Sequence, residues 1–469
     1  MDHQNYKKLI NRFNKFLNIN KKNINIVALS FLHVLRPQHD LIKNFNNFSF
    51  KYRITYHIKF TLIKLLKSFF KKTNKKKYFS KNLDLLIISN FTNINNLNKK
   101  NDLYFGNLQT EIQKKKINCC TVFRNFTKYH ISEIIKKNRT KSYFFLEDFD
   151  SLKNEIINFF ILINEFFKFK FNLIPGKKIL HSDIRKFSFF NFLTGLSNLR
   201  LSNQIINFVK KNKPKIVLFT LEGHSWEKVL TYKLKEKFPN LIVIGYQFSV
   251  ISKNTNSLFL RIDSKFETDF IFTKNKIHKK IFISRGFNKN KIKVLGNLKI
   301  KNFKRIIKNK TNKNIIFCPE ALDYENEVMY NFAKKCAKII KNYNFIFRPH
   351  PSYKKKFISE YKNLIISKTS LHEDLSKSKI LIYRGSSVCY EASLYNILPL
   401  YLKIKNEISI DPLYQFQKKE FQILMIRDLK KIIYNISNMK KKIRDLSRQS
   451  MQFNEKPKIS VIKKILDDR

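Results

Sequence analysis

The sequence predicts an α/β protein built from two doubly wound parallel sheets, and three observations carry that prediction. Short apolar runs recur from Leu83 onward and alternate with amphipathic helical patterns, the signature of βαβ units. The alternation restarts at Asn314 after a lysine-rich stretch, which gives two halves. In both halves, polar clusters containing Gly or Pro follow directly on apolar runs. The carboxyl ends of parallel strands are where such sheets bind ligands.

A chain of 469 residues is long enough for two or three domains with substantial cores. Hydrophobic residues at 43% and aromatics at 14% exclude a disordered polyelectrolyte, despite 94 Lys+Arg against 34 Asp+Glu and a formal net charge of +60. That charge fits nucleic acid, an anionic membrane face or acidic substrates. The lysines are spread along the whole chain, and the chain is rich in Asn, Ile and Phe, which points to compositional bias and leaves only part of the charge for a partner. Membrane lipid is the favoured one. Cys119, Cys120, Cys318, Cys336 and Cys389 show neither metal-ligand spacing nor an even framework, consistent with reduced thiols and a cytosolic setting. The N-terminus lacks the apolar core of a signal peptide, and no window is apolar and long enough to span a bilayer.

Residues 1–77 read as a basic helical arm. Within it, His57 to Lys72 places apolar residues at helical spacing with lysines between them, a pattern suited to an anionic lipid surface or to packing on the first domain. Residues 78–300 read as a Rossmann-like domain, with strands expected at Leu83–Ser89, Ile117–Phe123, Tyr143–Leu146, Leu241–Gln247 and Phe270–Thr273, a buried strand in the segment from Pro214 that breaks at Thr220 to Gly223, and Lys291 to Asn297 closing this half. A helix is expected over Leu108–Lys116. Residues 301–430 read as a second such domain, with strands at Ile315–Cys318, Phe345–Arg348, Leu364–Ser367, Ile380–Tyr383, Pro399–Leu402 and Ile423–Ile426. Residues 431–469 form a basic helical tail.

Three clusters stand at strand ends: Glu222-Gly223-His224, Arg348-Pro349-His350-Pro351 and Arg384-Gly385-Ser386-Ser387. Gly385 permits a sharp turn, and the serines suit the start of a helix over Val388–Tyr395, whose N–H groups attract anions. Arg348, His350, Arg384, Gly385, Ser386 and Ser387 therefore become candidates for a phosphate site. Glu391, one helical turn further on, is placed to accept hydrogen bonds from vicinal hydroxyls such as a ribose. Each feature also has an ordinary structural use: a rigid corner at His350, a helix cap at the serines, a dipole-favoured charge at Glu222. A cleft between two such halves suits group transfer from a nucleotide-activated donor, with a general base for the acceptor hydroxyl. Glu222 is the candidate base, His224 and Glu227 stand next in line, and Gly223, His224, Glu227 and Gln247 make up the candidate acceptor side.

The acidic-residue–Gly, His–Pro and Ser–Ser triplet resembles the motif set of bacterial polysialyltransferases and related sialyl- and Kdo-transferases of the GT-B fold. The segments Tyr104-Phe-Gly106, Leu146-Glu147-Asp148-Phe149, Leu221 to Glu227, Gly245 to Ser249, Val294 to Asn297 and Arg348 to Pro351 are similar to bacterial surface carbohydrate biosynthesis proteins, over roughly residues 80–405. The resemblance implies a GT-B-like fold of two Rossmann-like domains facing a cleft. It implies Glu222 as acidic base, His350 as support for the donor phosphate, and Ser386 and Ser387 as its hydroxyl ligands. Two positions depart from the pattern. Leu221 stands where many polysialyltransferases carry a second carboxylate, and Asn396 stands where retaining GT-B enzymes often carry Gly. Asn tolerates the left-handed conformation such a turn needs.

The reading that follows is a metal-independent, inverting glycosyltransferase without a resident cofactor. It takes a nucleotide sugar, CMP-linked nonulosonate or Kdo among the candidates, and builds a surface polysaccharide or lipopolysaccharide on a glycan or lipid-linked acceptor. The expected location is the cytoplasm, peripheral on the anionic inner face of the inner membrane. One alternative keeps the fold and moves a polyol phosphate from a CDP-activated donor. The other is a non-enzymatic polyanion-binding protein. Against the latter, and against nucleic acid as a partner, the chain carries no RNA-recognition, zinc or helix-turn-helix signature.

Overall fold

A computed structural model describes residues 8, 10–11, 25–29, 82–98, 101–127, 129–138, 143–147, 150–167, 192–299, 313–351, 353, 355–416 and 419–468. The amphipathic stretch 57–72 and the pair Asp148-Phe149 lie outside these residues. No helix among those described is long and apolar enough to cross a membrane.

The first half is a seven-stranded, wholly parallel sheet in the order β3-β2-β1-β4-β5-β6-β7. Its strands are β1 (Leu85–Phe91), β2 (Cys119–Asn125), β3 (Tyr143–Phe145), β4 (Ile216–Thr220), β5 (Ile242–Gln247), β6 (Phe270–Thr273) and β7 (Ile292–Val294). All five residues of β4 are buried, because helices cover both faces and leave no solvated side for polar residues to alternate onto. The helices that follow the strands include α1 (Leu108–Lys114), α2 (Ile131–Lys137), α3 (Leu152–Phe167), α4 (Phe192–Asn212), α5 (Ser225–Lys237) and α6 (Lys276–Ser284).

The second half repeats the plan with six parallel strands in the order β10-β9-β8-β11-β12-β13. These are β8 (Asn314–Cys318), β9 (Asn344–Phe347), β10 (Leu364–Ile366), β11 (Ile380–Tyr383), β12 (Leu398–Leu402) and β13 (Gln422–Ile423), with helices α7 (Asp323–Ile339), α8 (Leu371–Lys377) and α9 (Val388–Ala392) between them. The predicted class, two doubly wound parallel-sheet domains, is the observed one.

Local differences have local causes. The strand expected over Ile423–Ile426 stops at Ile423, because the Asp428 carboxylate accepts the N–H groups of Leu424 and Met425 at 3.0 Å each and starts α10 (Ile426–Asn435). The helix expected over Val388–Tyr395 is α9 plus a 3₁₀ turn, Ser393–Tyr395, ended by Asn396 at φ 54°. Asn396 thus takes the left-handed conformation that asparagine tolerates.

The chain end ties the halves together. After α11 (Lys440–Ser450), the Asn454 amide donates to the Tyr390 carbonyl at 2.8 Å, on the second half. Four residues later Lys458 N–H donates to Leu295 O at 2.7 Å, on the first. The last helix, α12 (Ser460–Asp467), buries Ile462 and Ile465 in the core of the first sheet beside Leu85, Leu108 and Ile216. A further link crosses from the Asn254 amide to the Ser409 carbonyl at 2.8 Å, and one apolar cluster runs from Ile251 and Leu258 to Ile410, Leu413 and Phe453.

Candidate active site

In each sheet the strand order reverses once, between β1 and β4 in the first and between β8 and β11 in the second. The crevice outside the carboxyl ends at such a reversal is the natural ligand site of an open parallel sheet. Two of the three motif clusters follow β4 and β11, and the third follows β9, the neighbour of β8.

After β4 the chain turns through Glu222-Gly223-His224 into α5. Gly223 takes φ +83°, and a Cβ there would sit 2.4 Å from the backbone nitrogen of Leu258, so only glycine fits. Glu227, from the first turn of α5, accepts the N–H groups of Glu222, Gly223 and His224 at 2.9, 2.8 and 3.0 Å. Burial pushes its carboxyl above the ordinary range, against the pull of the His224 charge and those N–H donors. Glu227 thus holds the turn from inside and is only 1% exposed. The turn presents two part-exposed groups, Glu222 and His224, with Oε2 and Nε2 2.9 Å apart. A carboxylate bonded to an imidazole is a competent proton acceptor, and either member can be the one that faces substrate.

Gln247, read from the sequence as an acceptor-side residue, is wholly buried. Its amide donates to Ser249 O at 2.6 Å, and its oxygen lies 2.7 Å from His278 Nδ1. It supports the end of β5 from the interior.

After β11 the phosphate-site candidates separate. Gly385 takes φ +55° and lies so close to Glu320 that a Cβ would come within 2.1 Å of the carboxylate oxygen. Ser386 Oγ accepts the Val388 N–H at 3.4 Å, and Ser387 stands at the start of α9. Arg384 departs from the expectation of a phosphate ligand. Its side chain is buried, with Nε bonded to Glu325 Oε2 at 2.5 Å, Nη2 to Glu407 Oε2 at 2.7 Å and Nη1 to Leu402 O at 2.9 Å. A residue in line with a buried strand points either to the edge crevice or into the helix layer, and Arg384 takes the second course. Arg348 is likewise engaged, donating to Ser367 Oγ, Thr369 O and Asp374 Oδ2 at 3.0, 2.7 and 2.9 Å, so it braces the β9–β10 corner.

His350 follows that corner. Its backbone N–H donates to Asn326 Oδ1 at 3.0 Å. Burial, helped by the Lys299 charge, lowers the imidazole below its usual pKa, so the ring is neutral at neutral pH. A neutral ring offers a phosphate one hydrogen bond and no formal charge.

Two lysines of the first half, outside the three motif clusters, bring positive charge to these strand ends. Lys299, just past β7, stands with Nζ 5.4 Å from the Tyr104 ring and 4.8 Å from the Phe248 ring, which themselves meet edge to face at 5.0 Å. It is solvent-accessible, yet the surrounding protein lowers its pKa while Glu222, Glu391 and Asp102 pull it back up. Lys274, directly after β6, is 3% exposed. Its Nζ donates to Phe248 O at 3.3 Å and lies 4.6 Å above the Tyr390 ring. Burial and the neighbouring Lys299 bring it down to about 7, opposed by Cys389 and Glu391. Glu391, on α9 of the other half, is raised by burial and held down by Lys299 and Lys274. Glu222, Lys299, Lys274, Glu391 and His350 therefore share one electrostatic neighbourhood across the two halves. Tyr104 borders it, with its phenol bonded to Asn90 and pushed up to about 12 by burial and by Glu222 and Asp102. The sequence offers only position as a signal: Lys274 directly follows β6, and Lys299 lies five residues past Val294, the end of β7.

No protein-family model and no curated protein matches the sequence. Among solved structures, the chain is similar to the UDP-GlcNAc 2-epimerase from Methanocaldococcus jannaschii, at 13% identity and a TM-score of 0.47, covering 82% of this chain and 99% of that one. It is similar to the UDP-GlcNAc 2-epimerase from Neisseria meningitidis bound to UDP-GlcNAc, at 12% identity and a TM-score of 0.46, covering 82% and 98%. It is also similar to a glycosyltransferase from Rickettsia africae, at 11% identity and a TM-score of 0.43, covering 82% and 97%.

Proposed function

We propose that the chain is a glycosyltransferase that binds a nucleotide sugar at the second half and delivers the sugar to an acceptor hydroxyl held by the first. The observation that carries this reading is the pairing of Glu222 with His224 at the β4 crevice, within electrostatic reach of Lys299, which in turn reaches Glu391 and His350 on the opposite half. Transfer from an activated donor requires a proton acceptor and an anion-supporting group, which this reading takes from the first and second halves respectively.

In the proposed reaction the acceptor oxygen attacks the anomeric carbon as its proton passes to the Glu222–His224 pair. The bond from that carbon to the donor phosphate breaks, and its electron pair stays on the phosphate oxygen. Attack opposite the leaving phosphate inverts the anomeric centre. His350, Ser386 and Ser387 hydrogen-bond the departing phosphate, and Glu391 receives hydroxyls of the nucleoside. Protein cations supply the countercharge, so the chemistry proceeds without a metal ion. CMP-linked nonulosonate or Kdo is the favoured donor, on the motif resemblance, with a surface polysaccharide or lipopolysaccharide as acceptor at the inner face of the membrane.

The test is incubation of the full chain with a panel of CMP-sugars and UDP-sugars, and separately with CDP-polyols, while release of the free nucleotide is followed. Release of CMP from a CMP-sugar, raised by glycan acceptor, supports the reading. Turnover of CDP-polyols alone would replace glycosyl transfer with polyol phosphate transfer on the same fold.

A further inference from the structure

Three charged groups stand near one another at these strand ends without an ion pair between them: Lys274, which is 3% exposed, Glu391, which is part-buried, and Lys299, which reaches solvent. Lys299 and Lys274 act on Glu391 only through space, and among the described residues none of the three joins an ion pair. Elsewhere the same fold brings buried opposite charges into direct contact, as for Arg384 with Glu325 and Arg200 with Glu155. Leaving Lys274 buried without a carboxylate costs stability, because neither water nor a charged partner compensates it. An anion entering beside Lys274 and the solvent-reaching Lys299 supplies the missing partner. Lys299 is also held in place without a carboxylate, by the aromatic corner of Tyr104 and Phe248, so its ammonium stays free to pair.

We infer that Lys299, with Lys274 beneath it, forms a phosphate-binding pair contributed by the first half, so that a donor bound at the second half is gripped across the cleft. The inference rests on the proposed nucleotide-sugar reading and deepens it, replacing the arginines read from the sequence by lysines of the opposite domain. A phosphate between Lys299 and the Ser386-Ser387 edge accepts charge-assisted hydrogen bonds from one half and hydroxyl bonds from the other. Glu391 then serves the donor's hydroxyls and, in the empty cleft, moderates the two lysines. Binding of the anion bridges the halves, and loss of nucleotide after transfer releases the bridge.

The experiment is calorimetric titration of the full chain with CMP and, separately, with inorganic pyrophosphate, alongside thermal unfolding of each protein. The variants are Lys299→Met, Lys299→Arg, Lys274→Met and the double variant Ser386→Ala with Ser387→Ala. Lys299→Met is expected to weaken both ligands tenfold or more with its melting temperature unchanged, and Lys299→Arg to retain most of the affinity. Lys274→Met is expected to weaken both and to abolish the loss of affinity expected of the wild type as pH rises through 7. Wild-type affinity in folded Lys299→Met and Lys274→Met proteins would overturn the inference, and the function reading would survive if the serine variant still lost CMP. A fall in melting temperature with affinity intact would overturn it too, by making Lys299 a strut between the halves. Lysine-dependent binding of pyrophosphate without binding or turnover of any nucleotide sugar would uphold the anion site and sink the glycosyltransferase reading. Failure of the wild type to bind either ligand would sink both.

Discussion

The Glu222 carboxylate and the His224 imidazole meet at 2.9 Å on a turn whose three backbone N–H groups all end on Glu227. Two carboxylates five residues apart therefore divide the work, one facing the cleft and the other holding the loop that presents it. Burial separates them: Glu227 is 1% exposed, whereas Glu222 is about a quarter exposed, at 23%.

Glu227→Ala is expected to behave as a folding variant. It strands three N–H groups that were satisfied inside the protein, each worth about 1–3 kcal/mol when left unpaired. Chemical denaturation should show a loss on the order of 2–4 kcal/mol, and activity should fall even in the folded fraction because the turn no longer fixes Glu222. Full stability would show that water replaces the carboxylate and that the turn holds itself.

Arg384→Met is likewise expected to destabilise without touching the ligand directly. Removal of the guanidinium leaves Glu325, 1% exposed, and Glu407 without their shared cation. Breaking a buried pair in this way costs about 3–5 kcal/mol. A folded Arg384→Met protein of normal stability that had lost nucleotide binding would return Arg384 to the phosphate site.

Ser386→Ala combined with Ser387→Ala removes two hydroxyls from the β11 edge. The Val388 N–H then loses only a long 3.4 Å bond, so the short helix α9 is expected to persist. Loss of a hydrogen bond to a charged group is worth about 1.5–3 kcal/mol, so nucleotide affinity should fall tenfold or more. Unchanged calorimetric affinity in the folded double variant would remove the serines from the donor site.

Lys274 gives a pH signature of its own. Its pKa drops from 10.5 in the unfolded chain to about 7 in the folded protein, mainly through burial and with Lys299 adding to it, while Cys389 and Glu391 oppose the drop and the neutral His278 lies alongside. Between those values the unfolded chain binds a proton that the folded protein has released, so this residue makes stability rise from pH 7 to pH 10.5. The burial penalty is full at and below pH 7 and is on the order of 3–5 kcal/mol. Lys274→Met should therefore melt above the wild type at pH 7, with the gap closing toward pH 10. Added pyrophosphate should narrow the gap at pH 7. A gap independent of pH would show that Lys274 carries no such penalty.

The fold was legible because buried parallel strands leave unmistakable apolar runs such as Ile216–Thr220 and Ile380–Tyr383, punctuated by Gly or Pro where the chain leaves the sheet. The Glu222 turn was legible for the same reason. Side-chain direction was not. Arg348 and Arg384 directly follow strands, as a phosphate ligand would, but their guanidinium groups turn to Asp374 and to Glu325, residues far away in sequence. Lys274 and Lys299 were hidden by abundance, since in a chain with 94 basic residues no single lysine stands out until the burial of Lys274 and the aromatic neighbours of both are seen. The return of the last helix to the first core was hidden too, because Ile462 and Ile465 read as one face of an ordinary amphipathic tail.

The central claim is that Glu222, paired with His224, takes the acceptor's proton in glycosyl transfer. The direct measurement is the single-turnover rate of Glu222→Gln on the nucleotide sugar that the wild type consumes, taken beside donor affinity and melting temperature. Glutamine keeps the shape and a hydrogen bond to His224 but lowers proton-accepting power. Turnover is expected to drop by roughly 10²–10⁴-fold, the usual worth of general-base assistance, with donor affinity and stability near those of the wild type. A folded Glu222→Gln protein that binds donor and turns over at the wild-type rate would contradict the account and move the base away from Glu222.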